Sequence, residues 1–345
     1  MAPARPALES ARRRRAVRWW VLAGSVVLLA AMVLASLAVG SRALAPVTVI
    51  DALLHPVAGD VDHLVVRELR VPRTLIGLMA GAALALVGGI IQAVTRNPIA
   101  DAGLLGINAG ASLAVVVAIA WLGITRPDGY VWFAFAGAAL AAAIVFLIGS
   151  RGRDGATPVK LALTGAAVLA ATTPLITLVL IGRLDTLNQY RSWSVGSLAG
   201  RDIAGPAALW PFLLVGIVLA GVLARRLNVL ALGDDVARGL GERPALTHVL
   251  AAAAVIILAG CATALAGPIA LVGLVVPHVA RRLVGADYRW ILALCLTLGP
   301  VLLLLADILG RLLVAPAELE AGIVVAFIGA PVLIAIVRRA RLAGV

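Results

Sequence analysis

Polar and apolar positions in this 345-residue chain fall into long blocks: apolar runs alternate with short segments that carry most of the charge. The runs are close to the ~20 residues a spanning helix needs. Within them nothing alternates with the two-residue period of a membrane β-strand, so they read as helices. Lipid leaves backbone polar groups no partner outside the protein, and a continuous helix satisfies them internally. Candidate spans are 19–40, 74–94, 104–123, 130–149, 161–182, 207–224, 245–266, 268–284, 290–306 and 321–337. The fold class expected is all-α, a polytopic membrane protein with about ten transmembrane helices.

The eighth span strains this reading. Its clean apolar stretch runs only from Gly267 to Pro277 before His278, Arg281 and Arg282, and length alone makes it re-entrant or partial. Charge parity argues for counting it. Both chain ends are basic (Arg12 to Arg15 and Arg18; Arg338, Arg339 and Arg341), which places both termini in the cytoplasm and makes the number of crossings even. With ten spans, 20 of the 29 Lys and Arg fall inside and 9 outside, and the net balance is +13 against −1. A wrong span count would scramble that asymmetry. The first run is too long for a signal-peptide core, so it reads as a retained helix with Trp19 and Trp20 at the interface. The division expected is a basic cytoplasmic segment over 1–18, one ten-helix membrane domain over 19–339 and a cytoplasmic tail over 340–345.

Composition narrows the function classes. The chain is 62% hydrophobic and 13% charged, with a mean hydropathy of +1.07. Its net charge of +12 sits in short tracts with almost no aromatic interleaving, which is membrane topology and not a nucleic-acid groove. Cys261 and Cys295 lie in apolar runs and fit neither a disulfide framework nor a metal spacing. The single lysine, Lys160, stands between Val159 and Leu161, so no phosphate-cradling Gly-x-x-x-x-Gly-Lys-Ser/Thr loop exists. Asp234-Asp235 has no companion carboxylates for a magnesium-dependent enzyme. Intramembrane charge is sparse: Asp307 and Arg311, at i, i+4 near the outer end of the ninth span, either neutralise each other or take part in transport. His55 and His63, near Asp51, Asp60 and Asp62, show no ligand spacing that would assign a metal.

Four stretches carry the remaining information. The first is Arg70-Val71-Pro72-Arg73, followed by Gly77, Gly81, Gly88, Gly89 and Gln92. It continues through Arg96-Asn97-Pro98-Ile99-Ala100-Asp101, Leu104-Leu105-Gly106 and Asn108-Ala109-Gly110-Ala111. The second is Leu232-Gly233-Asp234-Asp235-Val236-Ala237-Arg238-Gly239-Leu240-Gly241. The third runs from Gly267-Pro268 to Pro277-His278 and Arg281, and the fourth from Ala306-Asp307 through Arg311, Glu320 and Gly322 to Gly329-Ala330-Pro331. In order and spacing, over about Arg67 to Arg339, these resemble the permease family of binding-protein-dependent ABC importers for iron–siderophore complexes, haem and vitamin B12, the FecCD type.

The resemblance implies a permease subunit of the cell (inner) membrane for a metal chelate, ferric siderophore first, with haem or vitamin B12 as alternatives. It implies alternating access driven by ATP. The partners implied are a second permease subunit, two cytoplasmic ATP-binding subunits, an external substrate-binding protein and the metal-chelate substrate. The chain itself would bind no cofactor and would not be an enzyme; ATP and Mg would sit on the partner ATPase subunits. An ion-coupled secondary transporter is the rival class, and it would need intramembrane ionisable groups that are scarce here.

Residue roles follow from both sources. Gly77 with Gly81, and Gly106 with Gly110, are small-xxx-small pairs that let helices approach. Asn97-Pro98 breaks the chain at a turn, and Gln92 is placed to hydrogen-bond a neighbouring helix end. His278 in the Pro277-His278-x-x-Arg281 turn reads as a structural hydrogen-bonding residue. Gly233, Ala237 and Gly241 recur every four residues, so a short helix there would show a smooth face, with Asp234, Asp235 and Arg238 on the polar side. The resemblance makes this segment, about 228–244, the ATPase-coupling element. It makes Arg70, Arg73 and Arg311 outward-facing docking groups for the binding protein, against interfacial snorkelling as the plain alternative. In the fifth span Thr173, Pro174 and Thr177, with Thr172, become gate candidates; hydroxyls bonding back to the preceding turn are the rival account.

Overall fold

The computed structural model describes residues 5–342 except 41–43, 58, 102, 104–105, 125, 150, 152–157 and 315–316; the side chains of 5–14, 127–128, 158, 192, 336–337 and 339–342 also fall outside that description. Leu104, Leu105 and the side chains of Arg12 to Arg14, Arg339 and Arg341 therefore lie outside the described residues. Every regular element described is helical. The order is α1 (Arg5–Ala38), α2 (Pro46–Leu54), α3 (Val61–Leu64), a π-helical turn (Val65–Arg70), α4 (Val71–Thr95), α5 (Ile107–Leu122), α6 (Pro127–Gly149) and α7 (Pro158–Leu180). There follow α8 (Leu184–Ser194), α9 (Ala204–Leu230), α10 (Asp234–Gly239), α11 (Pro244–Ala266), α12 (Val272–Val284), α13 (Tyr288–Leu313) and α14 (Ala321–Leu342).

Among the described residues, seven helices are long and apolar enough to cross a bilayer, and α5 and α14 supply two shorter apolar ones. The eighth expected span becomes α12, only 13 residues. At 1.5 Å per residue it reaches about 20 Å, short of the ~30 Å hydrocarbon core. The five residues before it are not helical. Gly267 and Leu271 both take positive φ, 76° and 71°, and a positive φ is uncommon for a side chain as large as leucine. Non-helical backbone at membrane depth survives where protein surrounds it; Gly267 and Ile269 of this stretch are buried, Pro268 and Leu271 are half-buried and Ala270 is exposed.

The described residues between the long spans form short helices of their own. Between α1 and α4, α2 packs through Val49 and Ala52 with Leu37, Leu44 and Val66 into a small separate core. Asp60 starts α3, its Oδ1 accepting the Asp62 and His63 amides at 2.8 and 3.2 Å. The π turn then passes without a break into α4.

The bundle is built around α4. Of its most apolar window 83% is buried, against 17% for α1 and 11% for α7, so α4 is the axis and α7 turns outward. Glycines make that axis possible. A Cβ on Gly81 would come 2.7 Å from the backbone of Pro300 on α13, and one on Gly88 would overlap the Gly273 carbonyl on α12. Small residues bring helices close in lipid, where dispersion and polar contacts replace the hydrophobic effect. The second expected pair is different. Gly106 precedes α5 with φ 71° and does not lie on a helix face; Gly110 instead meets Gly137 of α6. We expect Gly88→Ala to lower stability by about 3 kcal/mol, the upper end of overpacking costs, because backbone must move. Gly24→Ala, with nothing within 4 Å, serves as the neutral control in thermal melts.

Candidate functional site

At one end of the bundle α10 projects between α9 and α11. Its length is set by its flanks: Gly233 and Gly241 have φ of 111° and 82°, conformations that suit glycine and end a helix. They do not form the smooth face the four-residue spacing suggests. Ala237, the third member of that set, is fully buried against the protein's own body. Turned outward instead are three apolar side chains on and beside α10: Val236 within it, Leu232 before Gly233 and Leu240 at its C-terminal end, at 50%, 62% and 63% exposure. Asp235 and Arg238 pair with each other at 2.6 Å in solvent.

The flanks of α10 are tied down by polar contacts. Arg96, just after α4, pairs with Asp234. Glu242 accepts from Arg226 of α9 at 3.0 Å and from Thr247 of α11 at 2.8 Å. Asn228 of α9 donates to Asp287 at 2.8 Å and accepts the Tyr288 amide at 2.7 Å, joining α9 to the start of α13. Burial pushes the Asp287 carboxyl up, but hydrogen bonds from Arg289 and Asn228 outweigh it and hold the group below the usual carboxylate range. That contribution is present above the unfolded-state value and is lost as pH falls through the lowered one. Arg226, Asn228, Glu242 and Asp287 carry no motif signal; only their contacts reveal them.

Next to this end lies the α4–α12 crossing. The buried Gln92 amide donates to the Gly273 carbonyl at 3.1 Å and its oxygen faces Arg281 at 3.4 Å. Arg281 also donates to the Tyr288 hydroxyl at 3.2 Å. Pro277 is buried within α12 and His278 is half-buried beside it. Asn97 closes the turn after α4, its side-chain oxygen accepting the Ile99 amide at 3.1 Å, with Pro98 between. Asp101, part of the same motif, is 5% exposed and accepts the Leu271 amide at 3.4 Å and the Gly103 amide at 3.3 Å. It thus serves the non-helical entry to α12 from 170 residues away.

At the opposite end lie Arg70, Arg73 and Arg311. Arg70 and Arg311 are buried and Arg73 is half-buried. Arg311 is 2% exposed and donates to the Ser36 and Val39 carbonyls at 2.9 and 2.8 Å, while Arg70 is 6% exposed and donates to the Leu37 carbonyl at 2.7 Å. These carbonyls belong to the last turn of α1 and its exit, which have no intrahelical donor. Arg73 and Arg311 both grip the fully buried Asp307, at 2.8 and 2.7 Å, and Arg73 reaches Glu318 at 2.6 Å. Arg70 and Arg311 therefore close the end of α1, and Arg73 and Arg311 pair internally with carboxylates. Asp307 pairs with two cations, one more than the i, i+4 spacing predicts, and Glu318 adds a second negative charge at Arg73.

On α7, Thr173 donates to the Leu169 carbonyl at 2.8 Å and Thr177 to the Thr173 carbonyl at 3.1 Å; Thr172 bonds back to Val168 at 2.8 Å. Thr173, Pro174 and Thr177 are all exposed on this least-buried long helix. Because the hydroxyls are already engaged, Thr173→Ala should change uptake by less than about twofold, measured in vesicles. In the outer segment, Asp51 lies 3.3 Å from His55 and 3.7 Å from His63, while His63 Nδ1 accepts the Val57 amide at 3.1 Å. Among the described residues no group of three or more His, Cys, Asp or Glu is placed to hold a metal ion.

Comparison with known proteins agrees with this architecture. The FecCD transport family profile matches residues 28–339. The ferric enterobactin transport system permease protein FepD of Escherichia coli (strain K12) is 44% identical over 317 residues, covering 92% of this chain and 94% of its own. The Fe(3+)-citrate import system permease protein YfmD of Bacillus subtilis (strain 168) is 39% identical over 338 residues, covering 96% and 98%. A solved structure described as an inward-facing, metal-chelate type ABC transporter superposes with a TM-score of 0.79 at 27% identity, over 92% of this chain and 99% of that one. A helical membrane bundle matched over nearly its whole length by such permeases leaves one assignment: this chain belongs to the FecCD transport family, as a multi-pass permease of the cell membrane.

Proposed function

We propose that the chain is the membrane-spanning subunit of an ATP-driven importer for a ferric siderophore, moved by alternating access. ATP and Mg would be bound by two separate cytoplasmic ATPase subunits, and an external binding protein would deliver the chelate. The observation that carries this reading is the α10 region: exposed apolar side chains, Leu232, Val236 and Leu240, on and beside a short helix whose flanks are fastened to α9, α11 and the turn after α4. An apolar stripe exposed at the polar end of a membrane protein calls for a protein partner, and fastened flanks let force on that partner reach the long helices. The names of the enterobactin and citrate permeases support the substrate class. The outward face of α7 supplies a surface for a second permease subunit.

Reconstitution tests this. Proteoliposomes holding the chain with its cognate ATPase subunit and binding protein should take up radiolabelled ferric enterobactin when ATP is present on the ATPase side. Uptake driven by an imposed proton gradient without the ATPase would overturn the proposal. Ferric citrate, haem and vitamin B12 as competitors then rank the chelates.

A further inference from the structure

A groove of about 680 Å³ runs between α1 and α13 at the same end of the bundle as α10. Arg15, Arg18 and Arg289 form its rim, Trp19 and Trp290 its wall, and Leu22 and Ala293 its apolar continuation toward the membrane interior. The two indoles meet edge to face, centroids 5.0 Å apart and planes at 88°, which fixes the wall. Only 17% of the α1 window is buried, so this groove opens toward lipid and not into the bundle.

Charge in the groove is unbalanced. Three arginines line it, and one carboxylate beside it, Asp287, engages Arg18 at 3.5 Å and Arg289 at 3.0 Å. Arg15 makes no ion pair among the described residues and its side chain is exposed. Two positive charges are thus left over beside tryptophans, residues that settle at the headgroup level of a bilayer. Basic pockets between transmembrane helices recognise anionic lipid heads, and each basic residue near the surface adds attraction. A soluble anion would use the arginines but gain nothing from Leu22, Ala293 and the indole wall. A phospholipid uses all of them: its phosphodiester meets the guanidinium groups while its acyl chains follow the apolar floor.

We infer that this groove is a binding site for one anionic phospholipid, held by its phosphodiester between Arg15, Arg18 and Arg289. The experiment is native mass spectrometry of the purified full-length chain in detergent, offered phosphatidylglycerol and phosphatidylcholine in equal amounts. Wild-type protein should retain phosphatidylglycerol over phosphatidylcholine by about tenfold, and the Arg15→Gln/Arg289→Gln double variant should bring the ratio close to one. Should the double variant melt early, Arg15→Gln alone, which removes no described ion pair, must still cut the ratio severalfold. Equal retention of the two lipids by wild type, or an unchanged preference in the variants, overturns the inference. Soluble glycerol phosphate provides the other arm: if it displaces phosphatidylglycerol at equal concentration, the site reads a free phosphate and the lipid assignment falls.

Discussion

Asp307→Asn is expected to destabilise the protein by about 3–5 kcal/mol, although it barely changes the shape of the side chain. Asp307 is fully buried and is the shared counter-ion of Arg73 and Arg311. Removing its charge leaves two guanidinium groups facing each other in a poorly solvated site, with only Glu318 still paired to Arg73. Loss of a partner from a buried pair costs far more than the pair contributes, because the remaining charge is stranded. The damage should spread to α1, since Arg311 also holds the Ser36 and Val39 carbonyls. Neutralising Arg311 together with Asp307, as Asp307→Asn/Arg311→Met, should recover part of the loss. A double-mutant cycle on thermal or denaturant unfolding then gives a coupling of ~1–3 kcal/mol. A single variant within 1 kcal/mol of wild type would show that the cluster is solvated and that the buried network is wrong.

That network marks where sequence reading stops. The arginines were legible in depth, because charge next to an apolar run places a residue near a membrane face. Their direction was not. A guanidinium at the end of a span turns outward to a partner or inward to a carbonyl according to what lies beside it. Here that is the end of α1, 275 residues from Arg311 in the chain. The short eighth span tells the same story. Its length was readable from the position of His278, but the groups that serve its non-helical entry, Asp101 and Gln92, come from another helix pair. The spans themselves were readable because hydropathy is local and needs no tertiary partner. Small residues were the misleading signal. Glycine at every fourth position marks either a packing face or helix ends, and only backbone conformation separates Gly77 and Gly81, which pack, from Gly233 and Gly241, which terminate. The short element at 234–239 was therefore legible as a place in the chain, and the side chains it turns outward were not.

The face identified for α10 yields the sharpest functional expectation. Val236→Asp and Leu240→Asp should each lower ATP-driven uptake by about tenfold or more, with thermal stability within about 0.5 kcal/mol of wild type. Both side chains are at least half exposed in the isolated subunit, so an aspartate there meets water and folding is spared. Against a partner the same carboxylate is desolvated, and apolar anchors in interface centres carry ~2 kcal/mol or more, about thirtyfold in affinity. Co-purification of the ATPase subunit should fall in parallel with uptake. Two controls define the face. Asp235→Ala, at a side chain 97% exposed and paired with its near neighbour Arg238, should leave uptake within about twofold of wild type. Ala237→Asp should instead lower stability, because Ala237 is fully buried within the subunit. If Val236→Asp and Leu240→Asp transport normally while Asp235→Ala does not, the partner reads the polar side of α10 and the apolar stripe has another use. The exposed apolar side chains around α10 and its charged pair thus become a decision between two faces of one short segment, made by uptake and melting measured on the same four proteins.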